Sequence, residues 1–222
     1  MTDELKMLIG VGVASLVIIG GGVFLASKNM AVNPTFTGSN TVSIDKNLLI
    51  KESSNKTSEV SDKKVSIVVF GDFQCPACAA TDPLLKSILD KNNEKVVLIF
   101  RHFPLTQHIN ARPAAYAAEA AGKQGKFWQM HDTLYTNQTQ WETLQNPNEK
   151  FVEYAQDIGL NMDEYNKTIS DPEIKQKVDS DLDDGTKLRV DATPTIFVDG
   201  ERVVNINNLE KIVSDKIKNL PN

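Results

Sequence analysis

The longest apolar run of the chain lies near its beginning, where residues 7–27 carry no charged side chain. A helix of this length would reach roughly 31 Å, which is close to the hydrocarbon thickness of a bilayer. The run also lacks the polar face that a buried core helix of this length would have. The pattern predicts a transmembrane anchor over residues 7–27 behind a short cytoplasmic end at residues 1–6. A cleaved signal sequence is the alternative.

The pattern changes after this run. Residues 28–44 are rich in Asn, Ser and Thr and are predicted to form a linker. A folded body is predicted over residues 45–222. Its first apolar stretch, residues 47–50, is predicted to be an edge strand.

The front of the folded body alternates between strand and helix patterns. Short β-branched runs at residues 65–70 and 95–103 are typical of buried strands. Between them, apolar side chains recur at helical spacing from about Cys75 onwards. A strand, a helix and a strand in this order form a βαβ unit, so the two strands should be parallel. Pro83 lies inside the helical pattern and predicts a kink or a break near Asp82, since proline has no amide hydrogen.

Helical spacing dominates the middle of the body, over about residues 107–190. Within it, Asp171 followed by Pro172 is a signal for the start of a helix. Two β-rich runs then flank Asp199 and Gly200, which is the signal of a type I′ hairpin. A last amphipathic helix follows the hairpin. The order predicts an α/β fold with a small mixed sheet, flanking helices and a helical segment inserted in the middle.

Composition and charge narrow the range of partners. The net charge is −5, which argues against nucleic acid because a phosphate-binding surface usually has a basic excess. Three acidic residues in the last middle helix are interpreted as a solvated helix face: Asp181, Asp183 and Asp184. Three aromatic residues of the middle segment are interpreted as packing core: Phe127, Trp128 and Tyr135.

The chain contains two cysteines, Cys75 and Cys78. Their spacing at a helix start would allow a disulfide, but such a bridge closes a tiny loop and adds little stability. Structural zinc usually needs four ligands and there is no second cysteine pair, although a copper site that includes His102 remains open. Redox chemistry fits best, because the amides and the dipole of a helix N-terminus at Cys75 would stabilise its thiolate.

The neighbours of the cysteines support a redox role. Pro76 suits the first helical position, and Cys78, one turn further on, is expected to be buried and to act as the resolving thiol. Far along the chain, Thr193 and Pro194 precede a strand. A cis bond between them would expose the backbone of Thr193 beside Cys75, where it could pair with an extended substrate.

The body resembles the DsbA-like thiol:disulfide oxidoreductases of the thioredoxin superfamily, in their bacterial membrane-anchored form. The three blocks that carry the resemblance are "VSIVVFGDFQCPACAA", "RHFPLTQHINARPAAYAAEAAGKQGKFWQMHDTLY" and "ATPTIFVDGERV". The resemblance covers roughly residues 45–220 and implies a thioredoxin-like fold with an inserted helical domain. It also implies Cys75 as the nucleophile, Cys78 as the resolving thiol and Pro194 as a cis proline.

The same resemblance suggests which residues surround the cysteines. The predicted supporting and substrate-binding residues are Asp72, Phe73, Pro76, Ala77 and Thr193. Six positions before the first cysteine, where the family often carries a buried acid, this chain has Val69. A carboxylate there would move protons to and from the resolving thiol, so Asp72 or water is left for this task. The dipeptide between the cysteines lacks the histidine of the strongest oxidants, which suggests a less oxidising pair.

The activity that the resemblance implies is the oxidation of thiols in exported proteins through a Cys75–Cys78 disulfide, with no other cofactor and no metal ion. A membrane-tethered reductase or isomerase would use the same residues, and a metallochaperone or binding module is a further alternative. The expected partners are exported proteins with thiols or disulfides and a membrane or soluble redox partner. Because disulfides persist outside the cytosol, the body is expected on the extracytoplasmic side of the cell membrane, or secreted if the first segment is cleaved.

Overall fold

A computed structural model of the chain describes residues 45–221. Three predicted segments lie outside the described residues: the short cytoplasmic end (1–6), the anchor (7–27) and the linker (28–44). Along the part of the chain that the structure describes, no helix is both long enough and apolar enough to cross a membrane.

The described chain opens with one helical turn and two strands. These elements are α1 (Lys46–Leu49), β1 (Asn55–Lys56) and β2 (Val65–Gly71). The strand predicted at residues 47–50 is therefore wrong. The side chain of Asp45 accepts a hydrogen bond of 2.9 Å from the amide of Asn47, which starts a helical turn and buries Leu49. One edge of the sheet is formed by β1 instead.

The next two elements complete the βαβ unit. They are α2 (Pro76–Lys91) and β3 (Val96–His102). Strands β2 and β3 pair in parallel, with Val65 opposite Val96, so the predicted unit is confirmed. Helix α2 continues through Pro83, and the predicted break near Asp82 is wrong. Pro83 lies on the exposed side of α2, where water can reach the backbone carbonyl that lost its amide partner.

Six helices follow between β3 and the next strand. They are α3 (Ala111–Gly122), α4 (Phe127–Thr136), α5 (Gln138–Trp141), α6 (Asn148–Asp157), α7 (Met162–Thr168) and α8 (Pro172–Lys187). The predicted start of α8 is confirmed, since the side chain of Asp171 accepts a hydrogen bond of 2.9 Å from the amide of Glu173. The aromatic residues Phe127 and Tyr135 are buried, as predicted, and Trp128 packs beside them.

The chain returns to the sheet as a hairpin. Its strands are β4 (Thr195–Val198) and β5 (Glu201–Arg202), followed by a 3₁₀ turn (Ile206–Asn208) and α9 (Leu209–Lys218). Asp199 and Gly200 both have positive φ angles, 49° and 88°, which confirms the predicted type I′ turn. The five strands lie in the order β1-β3-β2-β4-β5, and only β2 and β3 run parallel.

The alternation of side chains along β2 divides the core into two layers. Val65, Ile67 and Val69 face the cluster formed with α2 and α9, while Val68 and Phe70 face the cluster formed with α1 and α8. A third apolar cluster fills the inserted helices and includes both cysteines. The cysteines therefore lie where the sheet meets the insertion.

A buried ionic network joins β3 to α8. The guanidinium of Arg101 donates hydrogen bonds of 2.7 Å to both Asp181 and Asp184, and all three side chains are almost fully buried. Lys51 also pairs with Asp184. The prediction of a solvated helix face is therefore wrong for Asp181 and Asp184. It holds for Asp183, which is exposed. A buried carboxylate needs a positively charged partner. For Asp181 this partner is Arg101, on a strand about 80 residues away in the sequence.

Candidate redox site

The end of β2 and the start of α2 place the two cysteines. Cys75 is the N-cap of α2, with extended backbone angles, and Pro76 occupies the first helical position. The carbonyl of Cys75 accepts hydrogen bonds from the amides of Cys78 and Ala79, at 3.1 and 3.2 Å. Both cysteines are buried free thiols, 3.8 Å apart. The structure thus describes the dithiol form, with Pro76 and Ala77 exposed in front of it.

The Cys75 thiol is strongly activated. Its pKa falls from 9.0 to about 5, chiefly because Cys78 hydrogen-bonds to it. Burial opposes this change, while Thr193 and the backbone amides of Cys78 and Ala77 add to it. Cys75 is therefore mostly a thiolate at neutral pH, which is the form that attacks a disulfide.

Cys78 has the opposite character. Its pKa is raised, first because its proton is held in the hydrogen bond to Cys75 and second because the side chain is buried. The pair thus consists of a thiolate at the front and a protonated thiol behind it. Two neighbouring groups with pKa values pushed apart are an arrangement that suits stepwise thiol exchange.

Removing the Cys78 side chain should raise the pKa of Cys75. In Cys78→Ala, the largest cause of the lowered pKa is gone, so the midpoint of Cys75 ionisation should move from about 5 toward 9.0. The measurement is the rate of alkylation by iodoacetamide as a function of pH. Ala79→Gly, which keeps both thiols, is the control and should retain the low midpoint. An unchanged midpoint in Cys78→Ala would contradict this assignment of the cause.

The lowered pKa of Cys75 also determines how the stability of the reduced protein depends on pH. Because the folded value for Cys75 lies below the unfolded value, ionisation stabilises the reduced folded protein fully above pH 9.0. This contribution decreases as the pH falls and is lost below about pH 5.

The loop before β4 lies against the nucleophile. The Thr193–Pro194 peptide bond is cis, as predicted from the sequence. Sγ of Cys75 lies 3.3 Å from the carbonyl oxygen of Thr193, across 118 residues of sequence. The backbone of Thr193 therefore lies beside Cys75, in the place expected for a strand that pairs with an extended peptide.

Asp72 supports the loop that leads into Cys75. It is buried, and its carboxylate accepts hydrogen bonds from the amides of Gln74 and Leu105 at 2.7 and 2.9 Å. The ring of His108 lies 2.7 Å from the same carboxylate. With these contacts, Asp72 fixes the loop between β2 and α2 to the loop after β3.

Phe73 is a core residue. Its ring is almost fully buried and stacks on Phe100, with the ring centroids 5.1 Å apart, and it also contacts Tyr135. A side chain in this position cannot reach a substrate. Of the predicted supporting residues, Asp72 and Phe73 are buried and hold the loop that leads into Cys75, whereas Pro76 and Ala77 are exposed.

Two polar side chains that the sequence did not reveal, Gln138 and Gln74, connect the redox loop to the inserted helices. Gln138 donates hydrogen bonds to the carbonyls of Phe73 and Cys75, at 2.6 and 3.1 Å. Gln74 accepts from the amide of Asn110 at 2.7 Å. Glutamine and asparagine carry no recognisable motif here, so only the folded structure identifies them.

The histidines do not complete a metal site with the cysteines. The ring of His102 lies 2.7 Å from the buried carboxylate of Glu119. Among residues 45–221, no group of three or more potential metal ligands includes a cysteine. The copper site considered from the sequence therefore finds no support in this arrangement.

The fold is that of DsbA-type proteins. BdbD from Bacillus subtilis, in its oxidised form, matches with a TM-score of 0.65 and 22% identity over 74% of this chain and 93% of that chain. The thiol-disulfide exchange protein α-DsbA2 from Wolbachia pipientis matches with a TM-score of 0.65 and 21% identity over 77% and 91%. A model of the thioredoxin family matches residues 60–215, and the chain belongs to this family. The predicted DsbA-like fold within the thioredoxin family is thereby confirmed, and the structural neighbours of the chain are thiol-disulfide oxidoreductases.

The curated relatives are much longer proteins. The Na⁺/H⁺ antiporter NhaA 1 of Salinispora arenicola is 36% identical over 150 residues, which is 67% of this chain and 22% of the antiporter. The chain thus spans about a fifth of the length of the relatives it matches. The name of the antiporter describes that whole protein and gives no transport role to this chain.

The localisation predicted from the sequence requires correction. The prediction was a single-pass protein of the cell membrane with its body on the extracytoplasmic side, or a secreted protein. The helices of residues 45–221 include none that could cross a membrane, since the longest have 16 residues and would reach only about 24 Å. Two of the matching relatives, from Salinispora arenicola and Salinispora tropica, are named as antiporters and not as DsbA proteins. The predicted localisation is therefore wrong on these findings.

Proposed function

We propose that this protein is a thiol:disulfide oxidoreductase that oxidises pairs of thiols in substrate proteins. The observation that carries the proposal is the low pKa of Cys75, about 5. A thiolate that is stabilised in the reduced protein makes reduction of the Cys75–Cys78 disulfide more favourable. Such a disulfide is a good oxidant of other thiols.

The proposed reaction begins with the oxidised protein. A substrate thiolate attacks Sγ of Cys75, the Cys75–Cys78 bond breaks, and Cys78 leaves as a thiolate that takes up a proton. The second substrate thiolate then attacks the substrate sulfur of the mixed disulfide, and Cys75 leaves as a thiolate. The substrate loses two electrons and gains a disulfide, while the protein gains the two electrons as a dithiol. Cys75 is a good leaving group because its pKa is low.

The surroundings of Cys75 suggest how a substrate would bind. The backbone of Thr193 lies beside the nucleophile, and Pro76 and Ala77 are exposed next to it. An extended peptide that paired with this loop would present its cysteine to Cys75 through backbone contacts, without a demand for one sequence. Exported proteins with thiols remain the proposed substrates, and a separate redox partner is needed to restore the disulfide.

The reduction potential of the Cys75–Cys78 pair tests the direction of the reaction. The protein is equilibrated in glutathione buffers, and the fraction of disulfide is measured by mass spectrometry after alkylation. We expect a value above about −200 mV, in the range of oxidants. A value near or below about −250 mV would replace the oxidase with a reductase. Cys75→Ser, which cannot form the bond, is the control, and a wild-type protein without a reversible couple would contradict the proposal as a whole.

A further inference from the structure

A small cavity with a mostly apolar lining adjoins the resolving cysteine. Its volume is about 10 Å³, close to the room that one water molecule needs. Its lining includes Val69, Cys78, Asp82, His131, Tyr135 and Pro194. We call it the Cys78 cavity. It brings a buried carboxylate, a buried imidazole and a phenol together beside Cys78.

Thiol exchange requires proton transfer at this position. Cys78 is buried and its pKa is raised, so it stays protonated until it attacks a mixed disulfide on Cys75. The proton must then leave a site with little access to solvent. The sheet does not offer an acceptor, because position 69 holds a valine that lines the Cys78 cavity with an apolar side chain.

Asp82 offers the missing carboxylate from the helix. It lies four residues after Cys78 on α2, so the two side chains lie on the same face, one turn apart. Both line the Cys78 cavity, and Asp82 is only 5% exposed. A buried carboxylate across a space of about one water molecule from a buried thiol is placed to exchange a proton with it.

Asp82 is also connected to the surface. Its Oδ2 atom lies 2.8 Å from Nζ of Lys86, and its Oδ1 atom lies 3.9 Å from Nε2 of His131. Lys86 and His131 both contact Asp132, each at 2.9 Å. The side chains of Lys86 and Asp132 are 35% and 48% exposed, so solvent reaches Lys86, the direct partner of Asp82. The Lys86 ammonium compensates the charge of the buried carboxylate.

We propose that Asp82 accepts the proton of Cys78 when this thiol attacks a mixed disulfide on Cys75, and that it returns the proton when Cys78 leaves the disulfide. In the first direction, the bond between Cys75 and the substrate sulfur breaks, the Cys75–Cys78 bond forms, and the substrate departs as a thiolate. The proton remains on Asp82 until it passes to solvent. This assignment rests on the proposed thiol exchange function.

The groups around Asp82 define its electrostatic setting. On its own helix, Cys78 and Lys86 face it, and from α4 the groups are His131, Asp132 and Tyr135. The sheet contributes Val69, Leu98 and Phe100 to the cavity wall, and the loop before β4 contributes Pro194. No second carboxylate in the described residues lines this cavity.

The test separates the two chemical steps in the full chain. Reduced protein is mixed with oxidised glutathione, quenched with acid at successive times and analysed by mass. The first step, glutathionylation of Cys75, reports the nucleophile, and the second, loss of glutathione to form the Cys75–Cys78 disulfide, reports the attack by Cys78. We expect Asp82→Asn to leave the first rate within twofold and to slow the second at least tenfold at pH 7. Its second rate should also rise in proportion to hydroxide concentration.

Two further variants decide whether the carboxylate itself matters. Asp132→Asn also breaks contacts with Lys86 and His131 but leaves the Cys78 cavity intact, so its second rate should stay near wild type. Asp82→Glu restores a carboxylate and should recover most of the rate. An unchanged second rate in Asp82→Asn, or an equal loss in Asp132→Asn, would overturn the assignment. If wild-type Cys75 reacts no faster than an ordinary thiol, the proposed function fails instead.

Discussion

Exchange of Cys75 for serine is expected to abolish thiol–disulfide exchange, with a loss of at least about a thousandfold in the rate of attack. The hydroxyl of serine is not ionised near neutral pH, whereas the Cys75 thiol has a pKa of about 5. The variant also cannot form the disulfide that receives electrons. The measurement is the recovery of activity by a reduced, unfolded substrate protein whose native state contains disulfides.

Cys78→Ser is the matched variant for this prediction. It retains the nucleophile, so Cys75 should still attack a disulfide and form a mixed disulfide with the substrate. Without a resolving thiol on the same chain, this adduct should persist and be visible as a covalent complex on a non-reducing gel. Cys75→Ser should give no such complex. A Cys75→Ser protein with more than a few per cent of wild-type activity, or complexes in that variant, would show that Cys78 is the attacking residue.

Arg101→Ala is expected to destabilise the protein by about 3–5 kcal/mol. The arginine side chain is fully buried and donates to Asp181 and Asp184, and it also donates to the backbone carbonyls of Leu48 and Leu49 at 2.7 and 2.8 Å. Its removal leaves two buried carboxylates that have lost their main partner. Because the network joins β3 to α8 and α1, the loss should appear in the free energy of global unfolding, measured with urea.

Arg112→Ala is the control for a surface ion pair. Arg112 pairs with Asp179 on the exposed side of the inserted helices, so its loss should cost less than about 1 kcal/mol. The deficit of Arg101→Ala should also shrink in acid. Burial raises the pKa of Asp184, but Lys51 and Arg101 more than offset this and hold it below 3.8, so the stabilisation is lost as the pH falls through the folded value. A loss below about 1 kcal/mol in Arg101→Ala would contradict the assigned importance of the network.

Local sequence signals were reliable where neighbouring residues control the conformation. Pro76 after Cys75, Pro172 after Asp171, and the Asp199–Gly200 pair each act through the backbone of the next few residues, and the structure has the predicted helix starts and turn there. The strand prediction at residues 47–50 was wrong because a short apolar run suits either a strand or a helical turn. The capping contact of Asp45, which no run of apolar residues reveals, decided between them.

Long-range partners explain the other errors. The carboxylates of Asp181 and Asp184 follow the pattern of a solvated helix face, and only Arg101 of the distant strand β3 makes their burial favourable. The sequence around Asp82 likewise contains no motif that indicates a role in the redox site. The place of Asp82 behind Cys78 becomes meaningful only when α4 brings His131 to the same cavity and the sheet presents Val69 there.

The sequence by itself determined the βαβ unit, the inserted helical segment, the terminal hairpin and the pair Cys75 and Cys78 at the start of a helix. It could do so because these features depend on the period of apolar residues and on the backbone preferences of neighbours in the chain. The tertiary structure alone decided which polar groups are buried and which of them meet: Thr193 beside Cys75, Gln138 on the redox loop and Asp82 behind Cys78. Those contacts join residues far apart in sequence, and the pKa values of the two thiols depend on burial and hydrogen bonds that arise only when the chain has folded.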